Sequence, residues 1–338
     1  SDSRWSIAVV AIPGALARVF CVAATVTLLA PMRLVCREFA LAGLLPLLVA
    51  GNGAPPPGVL RIVALDVGQG SAILVEMGGR RLLYDTGPSW GADSDAGARI
   101  IVPYLRARGI DRLDAIIVSH PDADHIGGLP ALLRSLRIDW LAGTLPADHP
   151  LRVSPLLARH SFRDCRRGQV WHWGEARLEV LHPGSEPPRA PRSPTNAASC
   201  VVRVVTPAAT VLLTGDLETG QERELMATLG AQALRADLLF AGHHGSNTSS
   251  GAAFLAAVAP SCAIAQAGYR NRFRHPAARV LERYRAAGIG LLRSDRDGAI
   301  TIEFGPDRHA RVWRSRIDDR RYWRVRIDDG RTPAKLPC

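Results

Sequence analysis

The stretch Ser119-His120-Pro121-Asp122-Ala123-Asp124-His125-Ile126-Gly127-Gly128 places four potential metal ligands within six residues. It follows the apolar run 113–118, which has the length and composition of a buried strand. Imidazole and carboxylate groups at this density repel and desolvate one another unless a cation lies among them, so the stretch predicts a metal site. A solvated polar turn is the alternative. Gly127 and Gly128 are expected to let the backbone turn tightly before an apolar helix over 129–136.

Other acidic and histidine residues also follow predicted strands. Three such motifs end the apolar runs 81–84, 210–213 and 236–240: Asp85-Thr86-Gly87, Thr214-Gly215-Asp216 and Gly242-His243-His244-Gly245-Ser246. Ligands that converge from one edge of packed sheets make a preformed site. Asp85 is expected either to brace a neighbouring metal ligand or to be a simple turn carboxylate.

The charge of the chain is strongly basic. In 338 residues, 42 Lys and Arg against 31 Asp and Glu leave a net charge of +11, carried almost entirely by arginine. A polyanionic partner, either nucleic acid or membrane phosphate, is therefore favoured over a small cation. The alternative is a proteome whose base composition favours arginine codons.

Cysteine spacing gives no sign of a structural framework. The six cysteines lie at 21, 36, 165, 200, 262 and 338, without a CxxC pair. This pattern argues against structural zinc and against a disulfide scaffold, and predicts scattered buried thiols.

The first fifty residues are mostly apolar. The runs 5–32 and 39–50 are candidates for membrane segments, although Arg18 and Pro13 weaken the case and the second run is short for a crossing. A secretory signal and core helices of a soluble protein are the competing interpretations. The Pro- and Gly-rich stretch 51–58 is predicted to be a linker.

Beyond this linker, short strands and helices alternate. We expect hairpins over 171–181 and 290–304 and helices over 98–108 and 276–287. The sequence contains no Walker-type phosphate loop, and Gly68-Gln69-Gly70 lacks the third glycine of a dinucleotide-binding fingerprint.

The order of these motifs resembles the metallo-β-lactamase superfamily and, within it, the C-terminal part of the ComEC family of DNA-internalisation proteins. Further likeness lies in 65–70, in Asn196 with Ser199, in His275-Pro276 and in 294–300. The resemblance covers about residues 59–304 and the hydrophobic stretch before them. It implies an α/β fold, a four-layer αββα sandwich with its active site along one edge of two sheets, preceded by hydrophobic, transmembrane helices.

This resemblance divides the chain into four segments. Residues 1–50 are expected to be helices at the end of a membrane domain, 51–58 the linker, 59–305 the hydrolase domain and 306–338 a basic, aromatic tail. The implied location is a bacterial inner membrane.

The superfamily's usual HxHxDH pattern holds two metal ions, and here Asp122 stands where its second histidine would be. A carboxylate in place of an imidazole hardens the ligand set and shifts its preference from zinc toward manganese or magnesium. Two divalent ions are expected, with Mn²⁺ first and Zn²⁺ or Mg²⁺ as alternatives. The resemblance assigns His120 and Asp122 to one ion, Asp124, His125 and His243 to the other, and Asp216 to both.

The resemblance also suggests roles around these ligands. Asp124, His244 and His275 are the predicted catalytic residues, with the two histidines binding the phosphate or protonating the leaving group. Hydrogen bonds to the local backbone are the alternative for His244 and His275, because two histidines that are adjacent in the chain, as His243 and His244 are, do not easily face one site. Asn196, Ser199 and Ser246 are the predicted substrate-binding residues. His182 is either a third ligand of the first ion or structural, and is left outside the ligand set.

The implied function is a metal-dependent nuclease that degrades one DNA strand during uptake across the inner membrane. Its partners would be single-stranded DNA, the membrane and other components of the uptake machinery. Hydrolysis of another phosphoester, and a catalytically silent module that guides DNA, are the alternatives. Residues 306–338 carry nine Arg and one Lys against five Asp, with Trp313, Tyr322 and Trp323 among them. This tail is expected either to bind a nucleic-acid backbone or to form a terminal β-hairpin packed on the sandwich.

Overall fold

The computed structural model describes residues 15–29, 37–44, 53–91, 93–184 and 195–319. Two helices precede the main body, α1 Ala15–Leu29 and α2 Arg37–Ala42. Within the described residues, no helix combines the length and apolarity needed to cross a bilayer. Most of the predicted hydrophobic segment outside α1 and α2, including 1–14 and 45–50, lies outside the described residues, as do 320–338 of the predicted tail.

Seventeen strands occur in the described part of the chain. In chain order they are β1 Leu60–Ala64, β2 Ile73–Met77, β3 Arg80–Tyr84, β4 Ser89–Gly91, β5 Ser94–Asp95, β6 Arg112–Val118, β7 Arg137–Gly143, β8 Ser161–Asp164, β9 Val170–Trp173, β10 Ala176–His182, β11 Val201–Val205, β12 Thr210–Leu213, β13 Leu238–Phe240, β14 Cys262–Ala265, β15 Gly290–Arg293, β16 Ile300–Phe304 and β17 Ala310–Arg314.

Two large sheets contain fifteen of these strands. The first has the order β17-β16-β1-β2-β3-β6-β7-β8 and the second β15-β14-β13-β12-β11-β10-β9, while β4 and β5 form a separate ribbon. Strands β3, β6, β7 and β8 run parallel, as do β12 to β15. In β6 the last six residues are buried, as expected for a central strand covered on both faces.

In the residues that the structure describes, eight further helices follow the first strands. They are α3 Val102–Ala107, which continues a π-helical turn at Gly97–Ile101, then α4 Ala123–Ile126, α5 Leu129–Ser135, α6 Pro155–Ala158, α7 Thr219–Leu234, α8 Ala252–Val258, α9 Ala278–Ala286 and α10 Ser294–Asp297. Short 3₁₀ turns at Thr195–Ala198 and Gly242–Gly245 border the candidate site described below.

Three hydrophobic cores separate four layers. The inner core lies between the sheets and joins residues such as Ile62 and Ile117 of the first to Val202 and Ile264 of the second. A second core packs α3, α5 and α6 on the outer face of the first sheet. A third packs α7, α8 and α9 on the outer face of the second sheet. The α/β sandwich implied by the resemblance is the fold observed.

Two expectations from the sequence are wrong. Residues 290–304 do not form a hairpin, because β15 pairs with β14 in the second sheet and β16 pairs with β1 in the first. The cysteines are not simply scattered thiols, because Cys165 and Cys200 form a disulfide. Their Cα atoms lie 5.9 Å apart although 35 positions separate them in the chain, so only the packing of the sheets brings them together. In contrast, the predicted hairpin around Gly174 is present as β9 and β10.

Candidate metal centre

The polar motifs that follow the strands meet at one edge of the sandwich. Asp85 and His120 follow the ends of the parallel strands β3 and β6, and Asp216 and His243 follow the ends of the parallel strands β12 and β13. The carboxyl ends of parallel strands lie on the same edge of a sheet, which is why residues far apart in the chain become neighbours.

Asp216 lies at the centre of this edge, and its two carboxylate oxygens face different histidines. Oδ1 lies 3.1 Å from His125 Nε2 and 3.5 Å from His244 Nε2. Oδ2 lies 3.9 Å from His120 Nε2 and 3.6 Å from His243 Nε2. Asp216 thus divides the donors into two sets and belongs to both.

The first set contains His120, Asp216 and the neighbouring groups of Asp122 and His243. His120 and Asp216 are buried, and together with His125 of the second set they offer ligand atoms within 4.8 Å of one another. Asp122 Oδ2 lies 3.5 Å from His120 Nε2, with the Asp122 side chain 40% exposed. The neighbouring His120 imidazole is the largest influence on Asp122 and lowers the pKa of its carboxyl.

The second set contains Asp124, His125 and His244, whose ligand atoms also lie within 4.8 Å of one another. Asp124 Oδ2 is 3.2 Å from His244 Nε2. Burial opposes ionisation of Asp124, but the hydrogen bond from His244 and the nearby imidazoles outweigh it and lower the pKa to about 2. His244 therefore stands where the sequence placed His243. Which of the two histidines completes this set stays a prediction.

The hydrogen bonds of His125 and His244 indicate that a cation fits between them. His125 Nδ1 donates to Asp85 Oδ2 at 2.7 Å, and His244 Nδ1 donates to the carbonyl oxygen of Gln266 at 2.9 Å. Both Nε2 atoms then present lone pairs when the rings are neutral, yet they face each other at 3.2 Å. A metal ion or a proton removes this repulsion.

Two buried atoms of the donor sets lack hydrogen bonds to the described part of the chain. They are His120 Nε2 and Asp216 Oδ1. A buried polar atom without a partner is costly, and each belongs to a donor set that a divalent ion would satisfy. The donors present therefore fit two metal ions with mixed nitrogen and oxygen ligands.

Asp85 braces the metal-facing histidines, as one of the two sequence interpretations held. Its carboxylate accepts hydrogen bonds from the backbone N–H of Ser119 at 2.7 Å, from the Ser119 hydroxyl at 2.9 Å and from His125 Nδ1. Burial lowers the pKa of His125, but the carboxylates of Asp216 and Asp85 outweigh it and raise that pKa well above its ordinary value. His125 and Asp85 thus form a close, fully buried imidazole–carboxylate pair.

Left-handed backbone geometry lets both adjacent histidines face the site. His243 and His244 have φ angles of 48° and 54°, and their ring centroids lie 6.3 Å apart. Ordinary helical or extended geometry would point consecutive side chains in different directions. The expected conflict between the two rings is therefore absent.

The predicted substrate-binding residues occupy different places. Asn196 lies at the rim, with Nδ2 3.5 Å from His243 Nδ1 and with its buried Oδ1 unpaired in the described structure. Ser199 is fully buried, and its hydroxyl accepts the backbone N–H of Asp216 at 3.1 Å. Ser246 is also buried, and its hydroxyl lies 3.1 Å from that of Thr248. Of these three residues, Asn196 is the one that is not buried.

Two other predicted histidines, His275 and His182, lie outside both donor groups. The ring of His275 is half-buried, 5.7 Å from that of His243 and 6.5 Å from that of His244. Burial and the charges of these rings lower the pKa of His275 to about 4. His182 is outside both donor groups, and its Nδ1 donates to the carbonyl of Ser199 at 2.8 Å.

Sequence reasoning missed two residues that hold the site. Glu218 Oε1 accepts a hydrogen bond from His243 Nδ1 at 3.0 Å, and its position two residues after Asp216 was the available signal. Gln266 joins the two sheets, because its amide donates to the carbonyls of Leu65 and Ala72 while its backbone carbonyl holds His244. Nothing in the local sequence marks Gln266.

Comparison with known proteins agrees with this geometry. Residues 65–268 match the model of the metallo-beta-lactamase superfamily. Competence protein ComA of Neisseria gonorrhoeae is 37% identical over 287 residues, which are 85% of this chain and 38% of that protein. Recombination protein 2 of Haemophilus influenzae is 34% identical over 73% of this chain and 29% of its own length. ComE operon protein 3 of Bacillus subtilis is 31% identical over 71% of this chain and 32% of its own length. The chain spans less than two fifths of each of these relatives. On its matched residues and its fold, this chain belongs to the metallo-β-lactamase superfamily.

Proposed function

We propose that this chain is a two-metal phosphodiesterase that degrades one strand of DNA during its uptake. The observation that carries the proposal is Asp216, whose two oxygens face two separate donor sets. A shared carboxylate between two divalent ions is the arrangement that two-metal hydrolases use. Mn²⁺ is the proposed ion, because Asp122 and Asp124 add oxygen donors to a histidine-rich site.

Two divalent cations held by these residues would supply an activated water and would neutralise the charge that develops on the leaving oxygen. The protein supplies the positioning. Asp85 and Ser119 fix the orientation of His125, and Glu218 fixes that of His243. Because these partners hold Nδ1 of each ring, Nε2 of each is directed at the proposed ions.

His275 and Asn196 are the proposed contacts to the phosphate. With a pKa of about 4, His275 is neutral at neutral pH and donates a hydrogen bond rather than a charge. The Asn196 amide lies on the same side, near His243. Asp124 and His244, predicted from the sequence as catalytic, are proposed here as ligands of the second ion.

DNA is the proposed substrate because of the relatives and the charge. Relatives that match most of this chain are named as competence and recombination proteins, and the chain carries a net charge of +11.

We further propose that residues 1–50 end a membrane domain in a bacterial inner membrane and that 51–58 link it to the hydrolase. Other components of the uptake machinery would then be its partners.

The test is hydrolysis of a labelled single-stranded oligonucleotide by purified protein with Mn²⁺. We expect Asp122→Ala and His125→Ala to lower the rate by more than about 100-fold, since each removes a proposed ligand. Asp139→Ala is the matched control, because Asp139 is a surface carboxylate near the start of β7, where it pairs with Arg112. Metal analysis of the freshly purified protein identifies the ion. Unchanged cleavage in both ligand variants would reject the site.

The same assay separates the competing functions. If the enzyme hydrolyses bis-p-nitrophenyl phosphate and DNA does not compete, then its substrate is another phosphoester. If neither compound is hydrolysed and ligand variants that still fold keep DNA uptake in cells, then the chain is a silent module that guides DNA.

A further inference from the structure

The segment Gly268–His275 forms an exposed loop beside the candidate metal centre. It follows β14 and ends at His275, whose ring centroid is 5.7 Å from that of His243. Its sequence, Gly-Tyr-Arg-Asn-Arg-Phe-Arg-His, contains three arginines and two aromatic residues and no acidic residue. The name arginine-aromatic loop is used for this segment.

Three arginines of the loop carry positive charge into solvent. Arg270, Arg272 and Arg274 are all exposed, and none forms a salt bridge with the part of the chain that the structure describes. Most other arginines near the loop are paired, as Arg316 is with Asp66 at 2.6 Å and Arg293 with Asp295 at 2.7 Å. With no carboxylate paired to them in the described part of the chain, these three arginines concentrate positive charge on eight residues, which favours contact with an anion.

Two aromatic rings of the loop are exposed next to these charges. Tyr269 is 40% exposed and Phe273 is 51% exposed. The guanidinium of Arg270 lies 5.2 Å from the Tyr269 ring, and that of Arg272 lies 4.7 Å from the Phe273 ring. Phe273 in turn stacks on His275, with ring centroids 5.7 Å apart and an interplanar angle of 25°. Arg272, Phe273 and His275 thus form a row of flat groups that leads from solvent to His243 of the metal centre, and Tyr269 with Arg270 forms a separate exposed pair.

The loop is held in one shape by its own hydrogen bonds. The Asn271 side chain donates to the carbonyls of Gly268 at 2.9 Å and His275 at 2.6 Å, and accepts the backbone N–H of His275 at 2.9 Å. Gly268 in turn donates its N–H to the Gln69 side chain at 3.2 Å. Pre-ordering of this kind lowers the entropy lost when a partner binds.

We propose that the arginine-aromatic loop is the platform on which a single-stranded polynucleotide binds before cleavage. Unpaired bases would stack on Phe273 and Tyr269, and the three arginines would contact the phosphates, which directs the strand toward His275. A duplex keeps its bases stacked inside and offers no free face to these rings. This inference rests on the proposed function and names the part of the chain that selects the substrate.

The test measures binding without cleavage. Fluorescence anisotropy of labelled oligo(dT) with the full chain in EDTA reports affinity independently of hydrolysis. We expect Tyr269→Ala/Phe273→Ala to weaken binding by about tenfold or more, because each stacked base contributes strongly. Replacing Arg270, Arg272 and Arg274 by Ala should reduce the slope of log affinity against log salt by about 2. A matched duplex should bind more weakly than the single strand.

Two further variants control this test. Phe273→Tyr keeps a flat ring and should retain binding, whereas Phe273→Leu keeps apolar bulk without the ring and should not. Arg134→Ala removes an exposed arginine at the end of α5 and should leave affinity unchanged. Thermal melting confirms that each variant is folded.

The outcomes separate this inference from the proposed function. Equal affinity of the loop variants and the native chain, or equal affinity for duplex and single strand, would overturn the platform while leaving nuclease activity standing. Both proposals are supported if the ligand variants lose hydrolysis but still bind the oligonucleotide in EDTA, while the loop variants bind it more weakly. Binding through the loop by a chain that hydrolyses no DNA would retain the platform and reject the nuclease.

Discussion

The carboxylate of Asp85 positions two other residues of the site. It is fully buried and holds Ser119 and His125 through three hydrogen bonds, at a φ of 60° that aspartate and asparagine both tolerate. Partners that orient a metal-binding histidine from behind influence affinity almost as much as the ligands do. A change confined to the charge of Asp85 therefore tests the brace without changing the backbone.

We expect Asp85→Asn to weaken Mn²⁺ binding by about 10- to 100-fold, because a neutral amide does not balance the positive charge beside His125 as the carboxylate does. Isothermal titration with Mn²⁺ measures the change, and circular dichroism checks the fold. Asp139→Asn is the control, since it neutralises an exposed carboxylate outside the site. Native affinity in Asp85→Asn would show that Asp85 is only a turn residue.

Individual residues also show how far the sequence could predict the site. The density of ligands at 120–125 was sufficient to predict a metal centre, because imidazoles and carboxylates so close together destabilise one another without a cation. The sequence does not predict which way the rings of His243 and His244 point, because their left-handed φ angles are set by packing at the end of β13. No rule of side-chain periodicity predicts that both rings face one site.

Gly128 was expected to serve a tight turn, and the structure gives it a different role. Its φ of −82° is open to any residue. An added Cβ would lie 2.2 Å from the Thr86 carbonyl oxygen and 2.6 Å from the Gly97 nitrogen. The glycine is required because other backbone segments pass close to it, and such a contact is invisible in the local sequence.

At the scale of elements, the disulfide joins the ends of strands in different sheets. Cys165 follows β8 and Cys200 precedes β11. The backbone N–H of Cys200 donates to the Ser119 carbonyl at 2.8 Å, and its carbonyl accepts the Tyr84 hydroxyl at 2.7 Å. The bond thus fixes the start of β11 next to the strand that carries the metal ligands.

We expect Cys165→Ala/Cys200→Ala to lower the free energy of unfolding by about 2–4 kcal/mol, because a closed loop of this length restricts the unfolded chain. Urea unfolding without reductant measures the loss. Cys21→Ala removes a sulfur that forms no disulfide and should cost much less. An unchanged urea midpoint in the double variant would show that the bond adds no stability.

The elements themselves were predicted better than their partners. Apolar runs located β6, β12 and β13, because a central strand needs a continuous hydrophobic sequence. Strand β7 was missed, since Arg137 and Asp139 are exposed and interrupt its apolar pattern. The hairpin predicted over 290–304 is wrong for a different reason: periodicity identifies a strand but not the sheet that it joins.

For the whole molecule, the two halves of the sandwich each supply part of the site. Asp85, His120 and His125 lie on segments that follow strands β3 and β6 of the first sheet, whereas Asp216 and His244 follow strands β12 and β13 of the second. Composition and periodicity could predict an α/β chain, but the pairing of two sheets around one metal centre came from the resemblance of the motifs. Long-range convergence of this kind depends on the complete topology.

A metal centre shared by two sheets should couple ion binding to the stability of the molecule. Ions that bind the native state and not the unfolded chain add about 2.7 kcal/mol per site at about 100 times the dissociation constant. For a domain of this size, that corresponds to a rise in Tm of about 5–10 °C per site.

We expect Mn²⁺ to raise the Tm of EDTA-treated protein by about 5–10 °C for each site that it occupies, as measured by differential scanning fluorimetry. In Asp216→Asn, which weakens both donor sets, the rise should nearly disappear, whereas Asp139→Asn should retain it. If Mn²⁺ leaves the native Tm unchanged, then these histidines and carboxylates are not a metal centre, and the buried lone pairs of His125 and His244 are satisfied by protons alone.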